Sequence, residues 1–285
     1  MSTSSKVDLH LHTTRSDGRL SPTELVRLLV AQGVATAAIT DHDSTEGLDE
    51  AFAEAARQPG LRLISGIEVS ADHPSGGGDL HVLGYFMDYH DREFQERLRT
   101  FRSGRVGRIK QMVDKLAELG LPLEWERVQE LAAGASIGRP HIAQAMVERG
   151  YISTSKEAFN GYLEDGGKAH FNRPHIPMEE AVRLIQSVGG VAVLAHPVYV
   201  RDWEALLPRL VGLGIVGMEV HYSEFSPEQR RGLAHQARKY HLLPCGGSDY
   251  HALGQPGEFL PGSAGPPDEV VNSLEELAKG RRAIA

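Results

Sequence analysis

The sequence predicts an α/β fold of barrel type interrupted by an all-helical insert, and three observations predict it. Seven short apolar runs alternate with helical patterns along most of the chain. No Gly-rich dinucleotide-binding fingerprint follows the first run, which argues against a flat doubly wound sheet. Between residues 91 and 173 the alternation stops and only helical patterns remain. A barrel would therefore take residues 1–90 and 174–285, with residues 91–173 as the insert.

The candidate strands are Val7–Leu11, Ala35–Thr40, Arg62–Val69, Leu80–Phe86, Val191–Ala195, Ile215–His221 and Leu242–Cys245. Helices between them carry start and stop signals. Pro22 follows Ser21 as a first-turn proline follows an N-cap, and Gly33 closes that helix. Pro177 opens Met178–Val188, which ends at Gly189–Gly190, and Pro227 opens Glu228–Tyr240. The insert reads as helices over Glu93–Gly120, Glu124–Ala133, Arg139–Arg149 and Ser155–Leu163. It carries 14 Lys+Arg against 12 Asp+Glu, whereas the rest of the chain carries 16 against 26. Arg99, Arg102, Arg105 and Arg108 recur every three residues, along one side of a helix. That stripe is either a solvated face or a track for phosphates.

The 285 residues, 41% hydrophobic and 24% charged, exclude disordered and fibrous classes. A net charge of −8 argues against a protein that coats nucleic acid generally. The single cysteine, Cys245, cannot form an intrachain disulfide and reads as a core residue. The start, MSTSSKVDLH, lacks the apolar stretch of a signal peptide, and no apolar run is long enough to span a membrane. A cytoplasmic location is expected.

The 14 histidines matter through their positions. His10 and His12 lie two apart in a strand, so their rings share a face. Asp17 follows in the next loop, and His42 comes directly after the second strand. Glu68 lies near the end of the third strand and His81 at the start of the fourth, while His196, Asp249 and His251 follow later strands. Most sit at C-terminal strand ends, the rim where βα barrels build active sites. So many imidazoles and carboxylates at one rim would be costly without cations between them. Their donor set, free of thiolate, suits manganese, iron or zinc. His73, His90, His235 and His241 have no such setting and are expected at the surface.

Asp8-Leu9-His10-Leu11-His12-Thr13 with Ser16-Asp17-Gly18, Thr40-Asp41-His42-Asp43, Gly66-Ile67-Glu68, Ala195-His196-Pro197 and Gly247-Ser248-Asp249-Tyr250-His251 resemble the motif set of the PHP (polymerase and histidinol phosphatase) family of the amidohydrolase superfamily. The resemblance implies a distorted (β/α)7 barrel holding up to three divalent ions, Mn2+ foremost, with Fe or Zn as the other options. It implies one ion on His10, His12, Glu68 and Asp249, a second on Glu68, His81 and His196, and a third on Asp17, His42 and His251. Many members carry His where this chain has Asp17. The chemistry implied is attack on phosphorus by a hydroxide bridging two ions. His196, Asp17, His42 and His251 are the side chains near enough to pass protons.

Two basic groups lie in or beside the insert. Ile137-Gly138 leads into Arg139-Pro140-His141, a helix start able to offer donors to an anion. Lys168, Arg173 and His175 lie where the chain returns to the barrel. With His81-Val82-Leu83-Gly84, this pattern is similar to the TrpH-like branch, which includes ribonuclease AM and the nucleoside 3′,5′-bisphosphate phosphatases. That likeness implies removal of the 3′-phosphate from a small nucleotide bearing a 5′-phosphate, or release of 5′-nucleotides from short RNA. Arg139, His141, Lys168, Arg173 and His175 would hold the substrate. Histidinol phosphate phosphatase or another small phosphomonoesterase is the alternative, although the cationic substrate of the former suits those residues poorly. A non-catalytic PHP module binding nucleic acid would predict gaps in the ligand set, and there are none.

Overall fold

The computed structural model describes residues 5–75, 79–132, 137–164, 166–171, 176–254 and 257–283. The seven strands form one sheet in chain order: β1 (Val7–Asp8), β2 (Thr36–Ile39), β3 (Arg62–Asp72), β4 (Asp79–Tyr85), β5 (Val191–Leu194), β6 (Gly217–Tyr222) and β7 (Leu243–Gly247). The first and last strands then meet. Leu9 N–H donates to the Gly246 carbonyl at 3.2 Å, and Leu11 bridges Tyr250 in parallel, so the sheet nearly closes into a barrel. Glycine is required at that seam: a Cβ on Gly247 would lie 2.4 Å from the His10 backbone nitrogen.

Parallel βα units throughout are not what forms. β4 runs antiparallel to both β3 and β5, pairing Gly66 with Tyr85 and Val82 with Leu194. Only residues 73–78 separate β3 from β4, and a parallel crossover needs about a dozen or more. The inversion has a functional consequence. It brings the beginning of β4 to the rim where the parallel strands end, which explains why His81 lies near the start of its strand while His42, His196, Asp249 and His251 follow the ends of theirs.

β1 is also shorter than the run Val7–Leu11. The Asp8 carboxylate accepts the backbone N–H groups of His10 (3.3 Å), Ser248 (2.9 Å) and Gly262 (2.8 Å). A side chain that takes backbone donors in this way replaces regular ladder pairing.

Helices α1 (Pro22–Ala31) and α2 (Leu48–Ala55) pack outside β1 and β2, with Leu25, Leu29, Leu48 and Ala51 enclosed beneath them. α1 begins on the expected signal: Ser21 Oγ accepts the Glu24 N–H and Glu24 accepts the Ser21 N–H. α3 (Arg92–Glu118) is a single helix of 27 residues despite Gly104 and Gly107, about 40 Å long. Its first turns place Phe94, Leu98 and Phe101 in the barrel's main apolar cluster. Its later turns place Ile109, Met112 and Leu116 in a separate cluster with α4 (Trp125–Ala132), α5 (Arg139–Glu148) and α6 (Ser155–Ala158). One helix thus roots the helical segment in the barrel. The helix expected to run to Leu163 ends at Ala158 in a wide turn, because Asn160 and Gly161 leave helical geometry.

α7 (Met178–Ser187), α8 (Trp203–Leu213) and α9 (Pro227–Lys239) cover β3 to β6. α10 (Asp268–Arg282) packs Val270, Val271 and Leu274 against Val7, Leu9 and Val193. Cys245 is fully buried in that cluster, as expected, and burial pushes its thiol pKa far up. Among the described residues no helix is long and apolar enough to cross a membrane.

Candidate active site

All nine rim residues expected from the sequence come together at one end of the barrel. Glu68, on β3 and 1% exposed, is at their centre. Its Oε1 lies 2.8 Å from His81 Nδ1 and 2.9 Å from His196 Nε2. Its Oε2 lies 3.1 Å from His42 Nδ1, 3.2 Å from His10 Nε2 and 3.3 Å from His12 Nε2. One carboxylate therefore faces five imidazoles. Asp249 Oδ1 approaches His12 Nε2 at 3.0 Å and His10 Nε2 at 3.2 Å. Asp17 Oδ1 lies 3.3 Å from His251 Nε2, and its Oδ2 lies 3.7 Å from His42 Nε2.

Four groups of potential ligand atoms each lie within 4.8 Å: His12, Asp17, His42 and His251; His10, His12 and Asp249; His10, Glu68 and His196; His42, Glu68 and His81. The donor set fits divalent cations. His12 Nε2, Asp17 Oδ1, His196 Nδ1 and Asp249 Oδ1 are buried and make no hydrogen bond of good geometry, a costly state for polar atoms that have nothing to bind.

The titration behaviour has the same cause. Burial alone would lower the pKa of His10, but the charges of Asp249, Glu219 and Glu68 outweigh it and raise it well above the usual imidazole range. Burial alone would raise the pKa of Glu68, but His42, His10 and His81 hold it well below the usual carboxylate range. Asp249 is likewise held low, by His10 first and then His12 and His251, against the effect of burial. Protons on the imidazoles and cations at the same place are alternative ways to balance three buried carboxylates.

Several residues aim this set. Asp41 accepts the Thr13 N–H (2.7 Å), the Thr13 hydroxyl (2.6 Å) and the Ser16 hydroxyl (2.5 Å), fixing the loop that carries Asp17. His251 donates from Nδ1 to the Asp249 carbonyl at 2.9 Å, which leaves Nε2 facing Asp17. His196 and Asp249 have left-handed backbone, with φ of 23° and 55°; such strain persists only where neighbours hold it.

The main holder is Glu219 on β6, which is fully buried and was not singled out in the sequence. Its Oε1 accepts from His10 Nδ1 at 3.1 Å, and its Oε2 accepts the His196 backbone N–H at 2.7 Å. Tyr222, also missed, donates its hydroxyl to Asp249 Oδ2 at 2.6 Å. The available signal for Glu219 was a lone carboxylate inside the apolar run Gly217-Met218-Glu219-Val220.

The expected substrate residues fare differently. His141 is buried, and its Nδ1 accepts the Gly138 N–H at 2.9 Å, so it caps α5. Arg139 donates to the Leu163 carbonyl at 3.2 Å and lies over the Phe159 ring, while Lys168 lies over Tyr162. Arg139 and Lys168 thus both lie against the turn Phe159–Leu163. Arg173 and His175 lie outside the described residues. Two arginines of the stripe are tied down within the protein. Arg102 donates to the Asp43 carbonyl (3.0 Å) and to Glu46 (2.7 Å), and Arg108 is buried and donates to the Phe171 carbonyl (2.6 Å). His73 is no surface residue either: it is buried, with Nε2 2.9 Å from the Arg201 carbonyl.

Fold and rim define the class first, a barrel whose histidine–carboxylate cluster can hold metal. Residues 8–102 match the PHP domain family. The chain is 34% identical over 250 residues to a 5′-3′ exoribonuclease of Haemophilus influenzae, covering 86% of this chain and 90% of that one. It is 33% identical over 261 residues to a 3′,5′-nucleoside bisphosphate phosphatase of Chromobacterium violaceum, covering 88% and 89%. A solved structure of a candidate metal-dependent phosphoesterase from Bifidobacterium adolescentis superposes with a TM-score of 0.84 at 31% identity, covering 97% of this chain and 98% of that one. The chain belongs to the PHP family.

Proposed function

We propose that this protein is a metal-dependent phosphoric ester hydrolase that removes the 3′-phosphate from nucleoside 3′,5′-bisphosphates and also releases 5′-nucleotides from short 5′-phosphorylated RNA. The observation that carries the reading is Glu68, one buried carboxylate facing five imidazoles at a barrel rim. The nucleotide substrates are those of relatives that match this chain over most of its length.

His10, His12, Glu68 and Asp249 would hold one cation, Glu68, His81 and His196 a second, and Asp17, His42 and His251 a third. Manganese is the first choice, and iron and zinc suit the same donors. Bound dications supply Lewis acidity, making a water nucleophilic at neutral pH and neutralising phosphoryl oxygens. The chain supplies the rest. Glu219 and the Asp249 carbonyl take Nδ1–H of His10 and His251, leaving Nε2 of each ring free to ligate. Asp17, His42, His196 and His251 line the rim, and one of them would carry the proton to the leaving oxygen. Arg139 and Lys168, with Arg173, His141 and His175, hold the phosphate that is not cleaved, so the helical segment acts as a lid that sets specificity.

A phosphate-release screen of manganese-loaded protein tests this. The panel should include histidinol phosphate, 3′-, 5′- and 3′,5′-nucleotides and short 5′-phosphorylated RNA. The 3′,5′-bisphosphates are expected to be turned over fastest. A preference for histidinol phosphate, or no release from any nucleotide, would overturn the reading.

A further inference from the structure

A cavity of about 350 Å³ opens directly on the rim, with Asp249 and His251 forming one of its walls. Its volume is within the roughly 300–1,000 Å³ typical of small-ligand sites. The other walls include Tyr250, Phe259, Glu224 and Glu258. Phe259 is 45% exposed, and the neighbouring Leu260 and the rim residue Tyr199 are 48% and 56% exposed. Three of the six large hydrophobic side chains found exposed among the described residues therefore belong to loops at this end of the barrel. Exposed apolar surface gathered beside a site marks a place that something covers.

The lining also says what kind of group fits. Its described residues include no lysine or arginine and three carboxylates, the rim's Asp249 together with Glu224 and Glu258. Glu258 is fixed by the N–H groups of Leu253 (2.7 Å) and Gly254 (2.8 Å), and Glu224 accepts the Tyr199 hydroxyl (2.6 Å). A second phosphate would be repelled there. A planar, uncharged group with N–H donors would be welcome, stacked on an aromatic face and facing carboxylate acceptors.

We infer that this cavity seats the nucleobase of the substrate, with Phe259 as the stacking face. The inference rests on the nucleotide reading and deepens it. A nucleoside bisphosphate has three recognisable parts: the phosphate to be cleaved, the second phosphate and the base. The rim cluster takes the first, and Arg139 and Lys168 take the second. The base then needs an aromatic, cation-free place within reach of the rim, and the cavity provides it.

Equilibrium binding of adenosine 5′-monophosphate and of ribose 5-phosphate to the full-length, manganese-loaded protein separates the contributions. The wild type is expected to bind the nucleotide at least about tenfold more tightly, as base stacking on one aromatic ring provides. Phe259→Ala is expected to abolish most of that preference at unchanged metal content, and Phe259→Tyr to keep it. Equal affinity of the wild type for both probes, or full preference in Phe259→Ala, would overturn the inference. Parallel turnover of adenosine 3′,5′-bisphosphate keeps the two claims apart. Base-dependent binding without hydrolysis would sink the proposed reaction and leave the base site standing; hydrolysis without base preference would do the reverse.

Discussion

Glu219 shows how much of the rim depends on residues that never face the substrate. It ties the ring of His10 to the backbone of His196, whose φ of 23° is unfavourable for any side chain. Glu219→Gln keeps the shape but can no longer accept at both oxygens. Its amide end would meet a donor, either His10 Nδ1–H or the His196 N–H. Metal affinity is expected to fall about 10–100-fold, the usual effect of losing a group that orients a ligand, as read by metal titration of chelator-stripped protein. Unchanged affinity would mean that His10 and His196 hold their places unaided. This residue also marks the limit of sequence reading at this scale. The nine rim residues were legible because most lie at or just beyond strand ends, within short motifs that together resemble one family's set. Glu219 hides inside an apolar strand, and its role exists only through contacts with residues 209 and 23 positions away in sequence.

At the scale of elements, the inverted strand β4 corrects the simplest expectation, whereas the long helix α3 follows the expected run Glu93–Gly120. Seven strands were legible from their apolar runs, but strand direction was not, because hydrophobicity is blind to polarity of the chain; only the short β3–β4 connection carried that information. α3 changes the meaning of its arginines. Arg102 joins the helix to the loop beside His42, so Arg102→Ala is expected to loosen the helical segment, at a cost of about 1–3 kcal/mol for a charge-assisted bond. Activity on mononucleotide and RNA should fall together, measured by kcat/KM on each. A loss confined to RNA would restore the phosphate-track reading.

The α1–α2 pair carries a pH-dependent tie. Hydrogen bonds from Arg27 and then Gln58 hold the Glu54 pKa down to about 2. A carboxylate with a depressed native pKa stabilises the fold above its unfolded value of 4.5, and that stability is lost as pH falls toward 2. The wild type is therefore expected to melt above Glu54→Gln at pH 7, with the gap narrowing steadily below about pH 4.5. A gap independent of pH from 7 to 3 would show that charge at Glu54 contributes nothing.

For the whole molecule, the proposed function divides the work, with the chemistry at the barrel rim and the choice of substrate in the helical segment. Arg139→Ala is expected to lower kcat/KM for a nucleoside 3′,5′-bisphosphate by about 2–4 kcal/mol, and far less for a small monophosphate, with metal content unchanged. Equal losses on both substrates would place Arg139 at the scissile phosphate or in the fold. The most direct measurement for the central claim is the product formed from adenosine 3′,5′-bisphosphate, followed by phosphorus NMR with manganese-loaded and chelator-stripped protein. The loaded protein is expected to yield inorganic phosphate and adenosine 5′-monophosphate, and the stripped protein neither. Adenosine 3′-monophosphate as product, or equal turnover after stripping, would contradict a metal-dependent 3′-phosphatase built around Glu68.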